Sequence, residues 1–480
     1  MRRNHPTAGG RQEPGLTRTG PFIVSASGIR GVVGSTMTPE VAVRYGAAFA
    51  RHLQAIGAAD DPGAYVIVGR DSRTSGDLFS AAAGAGLRAA GMPVRNAGIA
   101  PTPTLLLAVR DDVRAVGGLV VTASHNPIEW NGLKLASGSG MFVSPEAGLA
   151  VQQLFERGPE MADWNGLGSG GTLDGVAEHH MDRILSLSLL DIEAIRSRAP
   201  VVALDCVHGA GGAVFPELLR RLGCTVEGIG LTTDGLFPRD PEPIPANLGE
   251  ISRLVRSSGA EIGMAVDPDG DRLALVDGSG EAVGEDWTLA LAAEYVLGRR
   301  PGALVTNLSS SQSIEEVAVR AGVPFHRARV GEARVALKMV EVDAVVGGEG
   351  NGGVMLPDLN LTRDAALAAA LVLNLLASEE MTLGDLLAGR TRYHMVKQKV
   401  ERGPLEPEDL YRRIRTDVPA GAAENTEDGL RLAWPEAREW LHVRPSGTEP
   451  ILRIIAEAPS LGRAEQLAAM AGRSVNVGAD

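Results

Sequence analysis

The chain has 480 residues, 44% hydrophobic and 22% charged, which excludes a disordered protein and leaves room for several full cores. At about 100–200 residues per domain it should hold about three or four domains. A net charge of −13, with no dense Lys/Arg run, argues against nucleic acid and anionic membrane surfaces as partners.

Residues 1–20 read as a disordered extension, because Arg2 and Arg3 are followed by no apolar signal-peptide core. In SASGIRG, Arg30 stands between glycines and could greet an anion. YVIVGRDSRTSG, from Tyr65, is a strand ending in a polar loop. Its Arg70 and Arg73 read as structural, with Asp71 fixing a turn. GGLVVTASHNP, from Gly117, repeats that pattern. Its apolar β-formers stop at Thr122, and a tight loop exposes the Ser124 hydroxyl beside the His125 imidazole. That hydroxyl either makes a turn or does chemistry. Lys134, in NGLKLAS, is one of only four lysines and stands close to this candidate nucleophile. A surface lysine is the bland alternative.

NGLGSGGTLDG (165–175) reads as a linker, and His179 and His180 follow in a segment expected to be exposed, as structural or solvated residues. VVALDCVHGAGG, from Val201, is a third strand and loop. It lacks the third glycine of a dinucleotide fingerprint, and the chain has neither Walker A nor HExxH. Cys206 and Cys224 form no CxxC, which fits a reducing cytoplasm.

VDPDGDRLALVD (Val266–Asp277) is the strongest local signal. Asp267, Asp269 and Asp271 alternate, so in an extended segment their carboxylates point the same way. They repel unless a cation sits among them, and oxygen-only ligation suits Mg²⁺. An EF-hand fails, since its sixth position would be Arg272 and its twelfth Gly278. A solvated acidic turn is the alternative.

ALVTNLSSSQS, from Ala303, is the fourth strand and loop. GGEGNGG (Gly347–Gly353) places Glu349 near Asn351, a carboxylate and an amide suited to sugar hydroxyls; a Gly-rich loop without ligand is the alternative. AALAAALVLNLLA, from Ala365, is too short to span a bilayer and predicts a buried helix. The last segment, LRLAWPEAREWLHVRPSGTEPILRIIAEAP, reads as paired strands around a loop, then a helix. In that loop Arg444, Ser446, Gly447 and Thr448 could cradle a phosphate with a guanidinium fork, hydroxyls and backbone N–H groups. An ordinary Pro-Ser-Gly turn is the alternative.

The class is therefore α/β: three tandem mixed α/β units of βαβ type and a C-terminal α+β domain around a central cleft. The expected spans are 1–20 for the extension, then 21–165, 170–277, 278–387 and 388–480.

SGIRG, TASHNP, NGLKLAS, DPDGDR, GEGNGG and RPSGTEP, in that order from residue 27 to residue 450, resemble the motifs of the α-D-phosphohexomutases. That family includes phosphoglucomutase/phosphomannomutase and phosphoglucosamine mutase. DCVHGAGG and DGLFPRDPEPIPANL (Asp234–Leu248) are similar to its second domain. The resemblance implies four domains around a cleft and phosphoryl transfer between the 6- and 1-positions of a hexose phosphate. It implies a phosphoserine at Ser124, a hexose 1,6-bisphosphate intermediate, and Mg²⁺ on Ser124, Asp267, Asp269 and Asp271. Arg30 and Arg272 would assist the developing charge. Lys134, then His125, would shuttle protons. Arg444, Ser446, Gly447 and Thr448 would hold the distal phosphate, and Glu349 and Asn351 the ring hydroxyls.

GEGNGG departs from the family's GExSGH, with Asn351 for Ser and Gly353 for His. RVGEARV (Arg329–Val335) resembles the segment of phosphoglucosamine mutases. The implied substrate is glucosamine 6-phosphate, with glucose or mannose phosphates as alternatives. A Mg²⁺-dependent sugar phosphatase and a non-catalytic sugar-phosphate binder are the remoter readings. The expected partners are small sugar phosphates, for a cytoplasmic monomer or homodimer.

Overall fold

The computed structural model describes residues 21–25, 28–401, 406–445 and 451–476. Short runs of Val, Ile and Leu that end in Gly or Asp form strands, and four sheets result. The first has seven strands in the spatial order Phe22–Ser25, Gly28–Val32, Trp130–Ser137, Ala115–Val121, Tyr65–Arg70, Val94–Ile99 and Gly170–Thr172. Helices Gly76–Ala89 and Thr102–Asp111 make its crossovers, so Tyr65–Arg70 is parallel to both neighbours. Gly170–Thr172 was expected to open the second unit after a linker. It pairs instead with Val94–Asn96, because small residues let an extended backbone close that sheet edge.

The second sheet runs Leu273–Asp277, Ile262–Val266, Val201–Asp205, Thr225–Ile229. The third runs Phe325–Ala328, Leu304–Asn307, Val346–Glu349, Gly353–Met355. Each is parallel at its centre and ends in an antiparallel hairpin at one edge. One hydrophobic core runs through both units, joining Leu204 and Met264 to Leu291 and Leu371. The apolar run from Ala365 is a buried helix in that core, Ala365–Glu379. Among the described residues no helix is long and apolar enough to cross a membrane.

The fourth sheet is antiparallel throughout, with His394–Glu401, Ile451–Ala458, Glu439–Pro445, Leu430–Trp434 and Ala423–Asn425 in order. Alternation along its strands splits the residues by face. Leu430, Leu432, Leu441, Val443, Leu452 and Ile454 pack under helices Pro407–Asp417 and Leu461–Asn476. The register puts Lys399, Arg453 and Arg444 in one row and Lys397, Ile455, His442 and Arg431 in the next, on the opposite face. The architecture is thus three α/β units and a C-terminal α+β unit.

His180 corrects an expectation. It is buried, not exposed, because it bridges two buried polar groups from distant segments. Thr104 Oγ1 lies 2.7 Å from His180 Nδ1, and Asp364 Oδ2 lies 2.7 Å from Nε2. Asp364 also caps helix Ala365–Glu379 by accepting from the N–H groups of Ala366 and Leu367. His179, by contrast, keeps an exposed side chain beside Asp111. Replacing His180 by Ala should orphan two buried polar groups at about 1–3 kcal/mol each and cost about 3 kcal/mol or more. Thermal unfolding of H180A against the parent chain measures this.

Candidate active site

Ser124 occupies a strained turn. Its φ is +51°, a left-handed conformation that costs a non-glycine residue about 1–2 kcal/mol. The turn is fixed by a buried arginine from the preceding polar loop. Arg73 Nη2 donates to the carbonyls of Ser124 and Asn126 at 2.6 and 2.5 Å. Its Nη1 donates to those of Pro127 and Trp130 at 2.6 and 3.1 Å. Asp71 anchors Arg73 and also accepts from Thr122 Oγ1, which in turn accepts from the Ser124 N–H. Asp71 and Arg73 therefore structure the Ser124 loop as well as their own. Arg30 reaches the same loop, donating to Asn126 Oδ1 at 3.0 Å.

The three aspartates converge, but not by alternation along a strand. Val266 ends one strand and Leu273 starts the next, and a tight turn joins them. Gly270, at φ +71°, permits the turn, and Asp267 Oδ1 closes it by accepting from the N–H groups of Asp271 and Arg272. All three carboxylates are buried, with one oxygen from each within 4.8 Å of the others. Ser124 Oγ donates to Asp267 Oδ2 at 3.3 Å and lies 3.3 Å from His125 Nδ1.

The first and third units grip this turn. Thr102 donates to Asp269 through its backbone N–H and its Oγ1, at 2.8 and 2.9 Å. Lys134 Nζ donates to Asp269 Oδ2 at 2.8 Å and lies 3.9 Å from Asp271. Arg272 lies 3.7 Å from Asp271 and from Glu242, and Glu242 in turn lies 3.7 Å from His125 Nε2. Arg363 Nη2 donates to Asp271 Oδ2 at 2.6 Å and Nη1 to Glu349 Oε2 at 3.0 Å. Glu349 Oε1 accepts from Asn307 Nδ2 and the Gly331 N–H, and Asn351 Nδ2 reaches Oε2 at 3.5 Å. Arg444 lies 3.8 Å from Asp428, which accepts from the Val330 N–H of the third unit. Ser446, Gly447 and Thr448 lie outside the described residues.

These contacts set the charges. Burial and the two neighbouring carboxylates push Asp267 well above the usual carboxylate range. Burial pulls Asp269 the same way, but the bonded Lys134 ammonium holds it below that range. Burial would lower Lys134, yet Asp269 and Asp271 raise it, so it stays an ammonium. Burial, with Arg272 and Arg30, pushes His125 well down, leaving a neutral imidazole. Burial would raise Glu349, but Arg363 and Asn307 keep it ionised.

The triplet suits a hard divalent cation. Asp269 Oδ1 and Asp271 Oδ1 are buried and find no donor among the described residues, while their other oxygens are held by protein groups. Such atoms are costly without a ligand. The local motifs identify Ser124, His125, Lys134 and the aspartates. They miss Arg363, Thr102 and Glu242, which carry no distinctive spacing.

Four family models match along the chain, all described as phosphoglucomutase/phosphomannomutase. They are α/β/α domain I at residues 22–161, domain II at 178–280, domain III at 284–393, and the C-terminal domain at 395–473. A "phosphoglucomutase/phosphomannomutase" of Thermococcus kodakarensis is 36% identical over 92% of this chain and 95% of its own. A "probable phosphoglucosamine mutase" of Methanopyrus kandleri is 37% identical over the same shares, 92% and 95%. A solved phosphoglucomutase/phosphomannomutase family protein from Burkholderia thailandensis superposes with TM-score 0.81 at 29% identity, covering 94% of this chain and 96% of that one.

A divalent cation that binds the native chain alone should stabilise it by about 2–3 kcal/mol at a hundred times its Kd. Thermal unfolding of the full chain with and without Mg²⁺ reads this, and Asp271→Asn should abolish the shift.

Proposed function

We propose the following for a chain that belongs to the phosphoglucomutase/phosphomannomutase family: Ser124 carries the phosphate, and glucosamine phosphate is the preferred sugar. The chain is a phosphohexomutase, an enzyme that transfers phosphate within a sugar phosphate.

Phosphoserine 124 gives its phosphoryl group to the free hydroxyl of a hexose phosphate. The bond from Oγ to phosphorus breaks, a bond from the sugar oxygen to phosphorus forms, and the hydroxyl proton passes, by way of the neutral His125 imidazole, to the released Ser124 Oγ. The resulting 1,6-bisphosphate turns over in the cleft, and its other phosphoryl group returns to Ser124. Such transfer needs alignment and charge neutralisation more than covalent assistance. Asp267, Asp269, Asp271 and Ser124 would hold Mg²⁺, which when bound supplies positive charge to a phosphoryl oxygen.

The remaining groups divide the work. Arg272 and Arg30 face the developing negative charge. His125, neutral and 3.3 Å from Ser124 Oγ, can take and return the serine proton. Lys134, held as an ammonium, can donate a proton or stabilise charge on the sugar oxygen. Arg444 heads the loop that would receive the distal phosphate, with Ser446, Gly447 and Thr448. The observation that carries the reading is the contact of Ser124 Oγ with Asp267, beside two carboxylate oxygens that find no donor among the described residues.

Two lines favour glucosamine. Glu349 is kept ionised, and Asn351 Oδ1 beside it is a buried acceptor with no donor among the described residues, so the negative charge and the open acceptor suit a protonated amine. The name "probable phosphoglucosamine mutase" also recurs among further archaeal relatives at 32–34% identity. Glucose and mannose phosphates are the second reading, supported by the relative from T. kodakarensis.

Mass spectrometry of the purified protein should find phosphate on Ser124, and Ser124→Ala should lose turnover by roughly a thousandfold or more. With catalytic bisphosphate present, kcat/KM for glucosamine 6-phosphate should exceed that for glucose and mannose 6-phosphates by roughly tenfold, about one charge-assisted hydrogen bond. Full activity in S124A, or phosphate release without isomerisation, refutes the mechanism. Equal kcat/KM values refute only the sugar preference.

A further inference from the structure

We propose that Arg363 is a positioning residue that couples the sugar-side carboxylate Glu349 to the cation-side carboxylate Asp271, along a path that Gly353 leaves open. The inference rests on the reading above, in which the cleft takes a cation and a hexose phosphate.

Arg363 is 6% exposed and engages three carboxylates at once. Its Nη2 donates to Asp271 at 2.6 Å, its Nη1 to Glu349 at 3.0 Å and its Nε to Glu332 Oε2 at 3.1 Å. Glu332 is locked in turn: its Oε1 accepts from Thr362 Oγ1 and from the Arg363 N–H at 2.7 and 2.9 Å. A planar guanidinium can hold these directions together, whereas an ammonium is a single point charge.

The route of the arginine side chain depends on residue 353. A Cβ built on Gly353 would stand 2.2 Å from Arg363 Cδ, 2.6 Å from Cγ and 3.0 Å from Cβ. Any side chain there displaces Arg363 from its present course. Residues 353 and 363 are therefore one device, and the glycine that ends GEGNGG has a physical reason that its loop alone does not reveal.

The consequence is a shared charge. Asp271 offers Oδ2 to Arg363, while its Oδ1 has no hydrogen-bond donor among the described residues and lies 3.7 Å from Arg272 Nε. Glu349 has donors on both oxygens, so Arg363 sets where its charge lies rather than how many bonds it can accept. A cation that draws on Asp271 weakens its hold on Arg363 and leaves the guanidinium to fix Glu349. Cation and sugar phosphate should then bind with positive coupling, and by linkage the effect is reciprocal.

The test is calorimetric titration of Mg²⁺ into the dephosphorylated full chain, with and without saturating glucosamine 6-phosphate. In the parent chain the sugar phosphate should lower the Mg²⁺ Kd by about tenfold. In Arg363→Lys, and in Gly353→Ala, which keeps the arginine but blocks its path, the ratio should fall below about twofold. Cooperative thermal unfolding checks that each variant is folded, and the parent ratio stands as a test even if a variant is not. A parent ratio near one, or a parent-like ratio in either folded variant, overturns the coupling but leaves the proposed reaction standing. Failure of the parent chain to bind Mg²⁺ or glucosamine 6-phosphate overturns that reading itself, and the coupling with it.

Discussion

Three carboxylates on one five-residue turn, buried where the units meet, set the terms for the rest of the structure. With their oxygens within 4.8 Å, each pair repels by roughly 3.5 kcal/mol at an effective dielectric constant of about 20. No local turn carries that cost unaided. The relief comes from three directions: Lys134 from the first unit, Arg272 from the turn itself and Arg363 from the third. The turn is also held by backbone bonds, from Thr102 to Asp269 and from Ala365 to Gly270. A Cβ on Gly270 would meet the side chain of Pro101 at 2.8 Å, so the packing there is close. The first three units are therefore not independent beads. Removing one positive partner would leave a buried charge uncompensated, which costs more than the pair itself contributes.

The neutralisation stops short. Six carboxylates, on Asp267, Asp269, Asp271, Glu242, Glu332 and Glu349, meet this cluster against three cationic groups, on Lys134, Arg272 and Arg363. Carboxylates outnumber cations, and burial with the two neighbouring carboxylates pushes Asp267 above its ordinary range. The sheet of the C-terminal unit is the counterpart. One face carries Lys397, Lys399, Arg431, Arg444 and Arg453 in adjacent rows, in a chain whose net charge is −13, and it meets the third unit where Arg431 donates to the Leu308 carbonyl and Ser309 Oγ bonds His442. An anionic centre and a cation-rich sheet face make a polarised site. A sugar phosphate suits it because the phosphate and the reacting hydroxyl need opposite fields.

Much of this was legible in the chain, and the failures have physical causes. Strand-then-loop patterns survive in sequence because buried parallel strands are apolar along their length and end in polar loops. The aspartate triplet was legible as chemistry but not as geometry. Alternate spacing suggested a strand, yet Gly270 lets the chain reverse between two strands and still bring the carboxylates together. Gly-rich composition misled at Gly170–Thr172, since small residues mark both linkers and closely packed edge strands. His180 and Arg363 lay beyond reach for another reason. Each gains its role from partners 14 to 184 positions away, and no local spacing encodes such contacts. Glycine 353 was noticed as a departure, but its cause is an arginine ten residues on.

The strain at Ser124 is best understood with the same electrostatics. A positive φ costs a serine about 1–2 kcal/mol relative to the ordinary β or α conformations. The chain commits a fully buried arginine, with four carbonyl contacts, to hold the turn, and shields its guanidinium against the Phe237 ring at 5.1 Å. Phe237 belongs to the second unit, which also supplies Asp267, so the same interface that fixes the loop fixes the oxygen's neighbour. That suits an oxygen that, in the proposed reaction, receives phosphate as readily as it gives it. In that proposed reaction the forward and return transfers use one Oγ and two orientations of the sugar, so the invariant part of the geometry has to be the protein's. A mobile loop would have to find its position anew for each orientation, whereas a loop strained once, during folding, meets both in the same place.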